Sequence, residues 1–422
     1  MIINNIQEVI GNTPLFLIPE KIHGIKGLEL YAKCEFLNPF GSVKDRTAMG
    51  LLREAKNYEY IIESSSGNTA KALGVLASVQ GKKLLDVSNK IHLQEVEDII
   101  KIVGTEIKSL PAGSECPDPT NPNSPLKAIN RIMSENPGKY YYTDQFSNTG
   151  NPKIHEETTA KEIDDDIGTP DFFFAGLGTT GSSKGIRDYF ASRGNMQSIG
   201  IITAGHSYLP GIRNSQEMFE VGLFDPKLYA DFSEVDEQNA IDYMLVLIRK
   251  CGLLVGPTSG ATFFGALQYF KKQNPEGLIG KKAVFIACDR LESYTGYLRE
   301  KRKSLFEEEN LEKIPENSEQ IAVQTIENIE ENSGEILVDM RSYVSYDLGH
   351  IKGSLNFPFE DLRKYLASDY LPFPKESKII FICPFGEESA ILAEMATRLG
   401  YNASSLAGGF LEFREKFPEK IV

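Results

Sequence analysis

Two kinds of segment alternate along the chain from about residue 28 to residue 300. Short apolar runs, which are typical of buried strands, are Leu28–Lys33, Tyr60–Glu63, Lys83–Val87, Asp171–Ala175, Ser198–Thr203 and Ala283–Ala287. The longer stretches between them are amphipathic and end near glycine, as helices do. This alternation predicts an α/β fold in which helices cover both faces of a parallel sheet. Ligands then bind at the carboxyl ends of the strands.

The pattern changes after residue 304. Leu305–Glu335 contains ten Glu and one Lys. Its first part, 305–317, is predicted to be an acidic linker, although an exposed acidic helix would fit equally well. A smaller α/β pattern follows, with predicted strands Ile321–Val323, Ile336–Val338 and Ile379–Ile382 and a predicted helix Ala390–Leu399. We therefore expect two domains, 1–304 and 318–422.

Composition narrows the compartment and the partners. The net charge of −14 argues against nucleic acid and against an anionic membrane surface as partners. No apolar run is long enough to cross a membrane, and the N-terminus does not resemble a signal peptide. The five cysteines are widely spaced and odd in number, which favours the reducing cytosol over a disulfide framework. The scattered histidines suggest no metal site.

The first chemically suggestive segment is Asn38–Arg46 (NPFGSVKDR). Lys44 follows Gly41 and Ser42 at a predicted helix start. The positive end of a helix dipole favours the neutral form of an amine, and a neutral amine can form a Schiff base. Taken by itself, such a lysine is more often a surface charge.

Three further segments each follow a predicted strand or open a predicted helix. Glu63–Ala70 (ESSSGNTA) offers hydroxyls and free amides for a carboxylate or phosphate, although Ser65 or Ser66 could simply cap a helix. Gly176–Gly185 (GLGTTGSSKG) matches G-x-G-x-x-G. The next strand ends without the acidic residue of a dinucleotide site, so a single phosphate is favoured. Gly256–Ala261 (GPTSGA) adds two more hydroxyls.

These four segments, in this order, resemble the fold type II pyridoxal-phosphate enzymes over residues 7–300. They are most similar to the cysteine synthase and cystathionine β-synthase branch. Ile10–Leu15 (IGNTPL) and Tyr141–His155 (YYTDQFSNTGNPKIH) resemble further stretches of that family. The resemblance implies two sub-domains with parallel-type sheets, pyridoxal 5'-phosphate as cofactor, an amino-acid substrate and a homodimer.

The resemblance also implies roles for individual residues. Lys44 would bind the cofactor and take the substrate's α-proton, Asn68 would contact the cofactor's phenolic oxygen, and Thr258 would face the pyridine nitrogen. The residues implied for the substrate carboxylate are Ser65, Ser66, Thr69 and Gln145. Those implied for the phosphate are Gly178, Thr179, Thr180, Gly181 and Ser182. A hydroxyl at Thr258 leaves the ring a weaker electron sink than an aspartate would, which suits elimination and replacement at the β-carbon.

Two details of this part bear on the substrate. The segment Leu209–Phe219 (LPGIRNSQEMF) resembles sulfhydrylases in which an arginine meets an anionic substrate or sulfur donor. Arg213 would be that arginine, and an ion-paired surface arginine is the alternative. The sequence also departs from the family at Ala70 and Thr180, where glycine is usual, and at Thr258, where serine is usual.

The C-terminal part resembles single-domain rhodaneses. The matching stretches are Ile336–Arg341 (ILVDMR), Gly349–Gly353 (GHIKG), Phe381–Ser389 (FICPFGEES) and Leu406–Phe413 (LAGGFLEF). Cys383 would carry a persulfide within a nest of amides, and a buried structural cysteine is the alternative. Glu387 and Glu388 depart from the family and would repel thiosulfate. This favours a persulfide delivered by another protein, or a role without catalysis. Cys116 is a weaker candidate for relaying sulfur.

Together these features predict β-replacement on O-acetyl-L-serine or O-phospho-L-serine with a sulfur nucleophile, the C-terminal domain handling sulfur. One alternative is β-elimination from cysteine or a thioether, with sulfur passed to Cys383. A second uses a nitrogen nucleophile. A third makes the C-terminal domain a regulatory or binding module.

Overall fold

A computed structural model describes residues 2–65, 67–88, 93–110, 124–205, 207–306, 324–326, 334–366 and 370–422. The chain divides into two compact units, Met1–Glu308 and Glu309–Val422. Within the described residues, no helix is long and apolar enough to span a membrane.

The first unit contains two sheets. Its strands are β1 (Leu15–Leu17), β2 (Glu29–Lys33), β3 (Tyr60–Glu63), β4 (Lys83–Ser88), β5 (Glu106–Ser109), β6 (Tyr140–Tyr142), β7 (Phe172–Gly176), β8 (Gln197–Thr203), β9 (Asp231–Val235) and β10 (Lys282–Ile286). The larger sheet has the order β1-β2-β10-β7-β8-β9, and the smaller has the order β5-β4-β3-β6. Every pair is parallel except β1 with β2. The carboxyl ends of the parallel strands therefore lie along one edge of each sheet.

Helices follow most of these strands. They are α1 (Glu20–His23), α2 (Lys44–Leu51), α3 (Asn68–Val79), α4 (Gln94–Ile102), α5 (Pro125–Glu135), α6 (Gly150–Ile154), α7 (Lys161–Ile167), α8 (Gly181–Phe190), α9 (Glu237–Cys251), α10 (Pro257–Lys271) and α11 (Thr295–Lys301). A π-helical turn, His155–Ala160, joins α6 to α7. Such turns are rare and often lie near functional sites.

The core of the larger sheet is aromatic. Phe173 and Phe174 of β7 and Phe285 of β10 are fully buried. Phe174 packs edge-on against Phe270 of α10, with ring centroids 5.2 Å apart. Burying one such side chain contributes about 2–3 kcal/mol. This packing fixes the end of β7, from which the predicted loop Gly176–Gly185 begins.

The second unit is built around one parallel sheet. Its strands are β11 (Gln324–Ile326), β12 (Ile336–Asp339), β13 (Leu355–Asn356), β14 (Lys378–Ile382) and β15 (Asn402–Leu406), in the order β11-β15-β14-β12-β13. Its helices are α12 (Tyr343–Asp347), α13 (Phe359–Leu366), α14 (Glu387–Arg398) and α15 (Gly409–Lys416). The buried strand β14 leads directly into Cys383.

The predicted α/β fold class is confirmed, and the predicted strands of the first unit match observed strands within one residue at each end. The sequence reading missed β1, β5, β6 and β9 of the first unit, and the residues of β5 are mostly exposed at the edge of the smaller sheet. It also missed the antiparallel pairing of β1 with β2. The helix predicted at Ala390–Leu399 begins at Glu387. The strand predicted at Ile321–Val323 and most of the predicted linker lie outside the described residues.

Candidate active site

Lys44 is the first residue of α2, and the loop before it is held against the end of β10. Val43 N donates to Cys288 O at 2.8 Å, and Arg290 N donates to Gly41 O at 3.1 Å. Gly41 has φ +90°, a conformation that favours glycine, and a Cβ there would lie 3.0 Å from Arg290 Cδ. The sequence Gly-Ser-Val-Lys therefore places the lysine at the carboxyl end of the central strand.

The surroundings of Lys44 favour a neutral amine. Burial lowers the pKa of Lys44, and the neighbouring Cys288 and Asp289 oppose that shift only in part. No hydrogen bond or ion pair joins Nζ to another residue within the described part of the chain. An amine that is easily deprotonated and has no fixed partner is suited to covalent chemistry.

Asn68 opens α3 and meets a buried acid from the other side of the site. Its Nδ2 donates to Asp289 Oδ2 at 2.9 Å and lies 3.4 Å from the Tyr294 hydroxyl. Its Oδ1 is buried and has no hydrogen-bond partner, as is also true of Asp289 Oδ1. Buried polar atoms rarely stay unpaired, so these two acceptors mark a place where a ligand or solvent would bind.

The residues implied for the substrate carboxylate are brought partly together. Thr69 Oγ1 donates to Gln145 Oε1 at 2.7 Å, and Gln145 Nε2 donates to Ser64 O at 2.9 Å. Ser65 Oγ instead accepts from Ala70 N at 3.2 Å, which is the helix-capping alternative raised from the sequence. Ser66 lies outside the described residues.

The residues implied for the phosphate surround the N-terminus of α8. Thr180 caps this helix in the left-handed conformation, with φ 60°, and its buried Oγ1 has no partner. This explains why glycine is usual at this position in the family, since a threonine is strained there. A Cβ on Gly178 would lie 2.5 Å from Gly211 O, and Ser182 is half-buried. Free amides at the start of a ten-residue helix form an anion site.

A residue that sequence reasoning did not single out, Asn151, ties this loop to the others. Its Nδ2 donates to Thr179 Oγ1 at 3.1 Å and to Gln145 O at 2.8 Å, while its Oδ1 accepts from Thr47 of α2 at 3.3 Å. A Cβ on Gly181 would lie 2.0 Å from Asn151 Oδ1. Asn151 therefore links the phosphate loop, the Gln145 loop and the helix that begins with Lys44.

Two residues predicted to contact the cofactor or the substrate, Thr258 and Arg213, already have partners within the protein. Thr258 Oγ1 donates to Pro210 O at 2.7 Å, so its single proton must be shared or exchanged before it can reach a ring nitrogen. The Arg213 guanidinium forms an ion pair with Glu220 at 2.8 Å and lies 4.8 Å above the Phe146 ring. This matches the alternative in which Arg213 is an ion-paired arginine. Arg213 still lies near the candidate substrate loop, because Phe146 directly follows Gln145 in the chain.

Sequence reasoning also missed Asp289 and Tyr294. Asp289 comes two residues after the predicted strand Ala283–Ala287, and a carboxylate in that place could have been flagged as lying at a ligand-binding edge. Tyr294 had no such signal, because only the fold brings it beside Asn68.

The arrangement fits pyridoxal phosphate. The start of α8, with the unpartnered Thr180 Oγ1, suits a phosphate, and the partnerless amine of Lys44 suits an aldehyde. Within the described ranges no group of three or more His, Cys, Asp or Glu could hold a metal ion.

A second site lies in the C-terminal unit, where Cys383 follows β14. Its buried Sγ accepts hydrogen bonds from Gly386 N at 3.1 Å, Ser389 N at 3.3 Å and Ser389 Oγ at 3.2 Å. Glu387 and Glu388 are exposed in the first turn of α14, where acidic residues suit the helix dipole. Cys116 lies outside the described residues.

Comparisons with known proteins identify the family of the chain. Residues 6–289 match the family described as pyridoxal-phosphate dependent enzyme, and residues 322–416 match the rhodanese-like domain. A cysteine synthase of Helicobacter pylori is 32% identical over 292 residues, which cover 66% of this chain and 93% of that protein. Cysteine synthase B of Escherichia coli is 30% identical, covering 69% and 94%. Cystathionine beta-synthase of Apis mellifera is 33% identical, covering 69% of this chain and 60% of that protein.

Solved structures agree as well. A hydrogen sulfide-producing enzyme from Fusobacterium nucleatum has a TM-score of 0.61 at 30% identity, and the match covers 69% of this chain and all of that one. The O-acetylserine dependent cystathionine beta-synthase from Helicobacter pylori has a TM-score of 0.60 at 29% identity, covering 70% and 98%. The chain therefore belongs to the pyridoxal-phosphate dependent enzymes of the cysteine synthase and cystathionine β-synthase type, with pyridoxal phosphate as cofactor and a rhodanese-like domain towards its C-terminus.

Proposed function

We propose that the chain catalyses β-replacement on an activated L-serine, O-acetylserine or O-phosphoserine, with a sulfur nucleophile. The observation that carries this proposal is the partnerless, pKa-lowered amine of Lys44 in a chain that is 30–32% identical to cysteine synthases. In the net reaction a C–O bond breaks, acetate or phosphate leaves, and a C–S bond forms from sulfide to give cysteine.

The cofactor, when bound, withdraws electrons from the substrate's α-carbon and so makes its proton acidic. Lys44 would hold the cofactor and, once released, accept the α-proton at Nζ and return it after sulfur has added. Thr69 and Gln145, already joined to each other, would hold the substrate carboxylate, with Ser65 and Ser66 nearby in the chain. The loop Gly178–Ser182 would hold the phosphate at the start of α8.

Thr258 would contact the pyridine nitrogen through a hydroxyl that also serves Pro210 O. Arg213 would bind an anionic leaving group only by exchanging its partner Glu220 for the substrate. An O-phosphoserine preference therefore rests on that exchange, whereas an O-acetylserine preference does not. Comparing kcat/KM for both esters in wild type and in Arg213→Ala separates the two.

The C-terminal domain is proposed to handle sulfur on Cys383. The three donors to Sγ support this, because they would stabilise a negative charge on the Cys383 sulfur before it accepts a sulfur atom and after it passes that atom on. A regulatory role without sulfur transfer is the competing proposal for this domain.

A second candidate function is β-elimination, in which the C–S bond of cysteine or a thioether breaks and sulfide or a thiol is released. The similarity to a hydrogen sulfide-producing enzyme supports this second candidate. We also propose a homodimer, which light scattering of the purified chain tests.

A spectral titration of the holoenzyme tests the leading function. Adding O-acetylserine or O-phosphoserine without sulfide should change the cofactor's absorption, and sulfide should restore it. If neither ester changes the spectrum, the proposal fails. If cysteine alone does so and releases sulfide, the elimination function replaces it.

A further inference from the structure

Asp289 is a buried carboxylate with two donors aimed at one of its oxygens. The Asn68 amide donates to Oδ2 at 2.9 Å, and the Tyr294 hydroxyl donates to the same atom over a short bond. Asp289 is 5% exposed and Tyr294 is 2% exposed, so water does not compete for these bonds. The three side chains come from three places along the chain and meet only at this point.

The direction of these bonds fixes the Asn68 amide. If the amide were flipped, its oxygen would face the carboxylate oxygen, and two acceptors cannot bond to each other. Leaving such buried groups unpaired is unfavourable. Asp289 therefore holds Nδ2 towards itself. The other bond from Nδ2, to the Tyr294 hydroxyl, is long at 3.4 Å, so that proton can be given up to a better-placed acceptor.

The neighbourhood keeps Asp289 able to accept. Burial raises its pKa to about 6, while the Tyr294 hydrogen bond, Lys71, Lys44 and the Asn68 hydrogen bond favour the carboxylate. Lys71 is itself buried, and burial lowers its pKa. Asp289 thus stays ionised at neutral pH and remains an acceptor rather than a donor.

The space around Asp289 and Tyr294 is also filled. A Cβ on Gly256 would lie 2.4 Å from Tyr294 Cε2 and 2.6 Å from Asp289 Oδ1. The glycine that opens the GPTSGA segment is therefore required by Asp289 and Tyr294, which fill the place of its side chain. Gly256 N also donates to Asp289 O at 2.9 Å.

We propose that Asp289 is a positioning residue that acts through Asn68, orienting the Asn68 amide so that Nδ2 donates to the phenolic oxygen of pyridoxal phosphate. This inference rests on the proposed role of Asn68 and extends it to a residue outside the sequence motifs. Tyr294 supports Asp289 by donating to the same oxygen.

A double-mutant cycle tests the proposal in the full-length holoenzyme. The dissociation constant of pyridoxal phosphate and its visible-to-near-ultraviolet absorbance ratio are measured for wild type, Asn68→Ala, Asp289→Ala and the double variant. A residue that acts through Asn68 should weaken binding roughly tenfold alone and add little in the double variant, instead of a roughly hundredfold combined loss. The visible band should lose intensity to the near-ultraviolet band in all three variants.

Two further variants keep the outcome decisive if Asp289→Ala folds poorly. Asp289→Asn retains an acceptor oxygen and should restore most of the wild-type spectrum. Asp86→Ala removes another fully buried carboxylate, which accepts from Ser65 N and Ser88 and does not contact Asn68, and its spectrum without substrate should match that of wild type.

Additive losses in the cycle, a wild-type spectrum in Asp289→Ala, or the same shift in Asp86→Ala would each overturn the role of Asp289. Failure of the proposed function would look different, because the esters would then leave the spectrum unchanged even in a wild type that binds the cofactor normally.

Discussion

The two candidate sites of this chain differ in how far the protein satisfies them by itself. Around Lys44, buried polar atoms lack partners: Asn68 Oδ1, Asp289 Oδ1 and Thr180 Oγ1. Around Cys383, one loop and the helix after it supply three donors to the sulfur. The first site has unmet hydrogen-bonding capacity that a cofactor would meet, whereas the second is complete before any sulfur atom arrives.

The two sites depend on the fold to different extents. Asn68 and Asp289 are 221 residues apart in sequence, so the first site exists only when both sheets are assembled. The Cys383 donors lie within six residues of it. We therefore expect changes at the first site to disturb cofactor binding and catalysis together, and changes at Cys383 to remove only sulfur transfer.

The largest effect should come from Lys44→Ala. Losing the amine that holds the cofactor and moves the α-proton should lower kcat/KM by about three orders of magnitude or more. The steady-state rate with sulfide and the preferred serine ester measures this loss. Borohydride reduction of wild type followed by peptide mass mapping should place the cofactor on Lys44.

Lys71→Met is the matched control for that labelling, because Lys71 is also a buried lysine of low pKa. The cofactor should stay on Lys44 in this variant. Labelling of Lys71 in wild type would contradict the assignment.

The Cys383→Ser variant should separate the two sites. Transfer of sulfur to the protein from a persulfide donor should fall to background, while the reaction of the serine ester with free sulfide stays unchanged. Intact-protein mass spectrometry detects the added sulfur atom. Cys251→Ser, which changes a half-buried cysteine of the first unit, should still accept sulfur. If Cys383→Ser accepts sulfur as wild type does, the domain is a binding or regulatory module.

His155 should make one acid-sensitive contribution to the stability of the first unit. Burial lowers the pKa of His155 to about 3 from an ordinary 6.5. Below pH 6.5 the unfolded chain binds a proton at this residue that the folded chain refuses, so the contribution of His155 to stability is lost as pH drops from 6.5 towards 3. The loss is up to about 1.4 kcal/mol for each pH unit in that window. The amides and hydroxyl around Cys383 do not titrate there.

Calorimetry of the cofactor-free protein measures this, since separate units can give separate transitions. In His155→Gln the melting temperature of the first unit should fall less, or rise more, than in wild type as the pH is lowered through the window. His350→Gln, the corresponding change in the second unit, should leave that slope as in wild type. An unchanged slope in His155→Gln would contradict the assignment.

The smallest effect concerns Thr180. Replacing this left-handed threonine with glycine should relieve about 1 kcal/mol of strain and raise the melting temperature of the cofactor-free first unit by about 2 °C. The same change removes a hydroxyl from the phosphate loop and should weaken cofactor binding. Thr180→Ala loses the hydroxyl but keeps the strain, so it should weaken binding without a comparable gain in stability. Equal melting temperatures for the two variants would sink the strain argument.

The sequence predicted the fold class well, because alternating apolar runs leave local marks. The segments that hold Lys44, Asn68 and the Gly178–Ser182 loop could be singled out from glycine and hydroxyl residues near strand ends and helix starts, whereas the roles of these residues come from the family resemblance. The sequence showed that Thr180 stands where glycine is usual, but only the structure gives its left-handed φ of 60°.

Long-range pairings could not be read from the sequence. Nothing local shows that Tyr294 meets Asn68, that Arg213 pairs with Glu220, or that Thr258 donates to Pro210 O. Each depends on elements that meet only in the folded sheet. These long-range contacts also orient the side chains of the site. The sequence motifs therefore identified the candidate residues without showing which contacts hold them in place.

Product analysis is the most direct test of the proposed β-replacement. The holoenzyme is mixed with O-acetylserine or O-phosphoserine and sulfide, and both ester and amino acid are followed by mass spectrometry. We predict that one of the esters is consumed while cysteine appears in equal amount, and that Lys44→Ala does neither. Both esters left intact, while added cysteine is broken down with release of sulfide, would contradict the account.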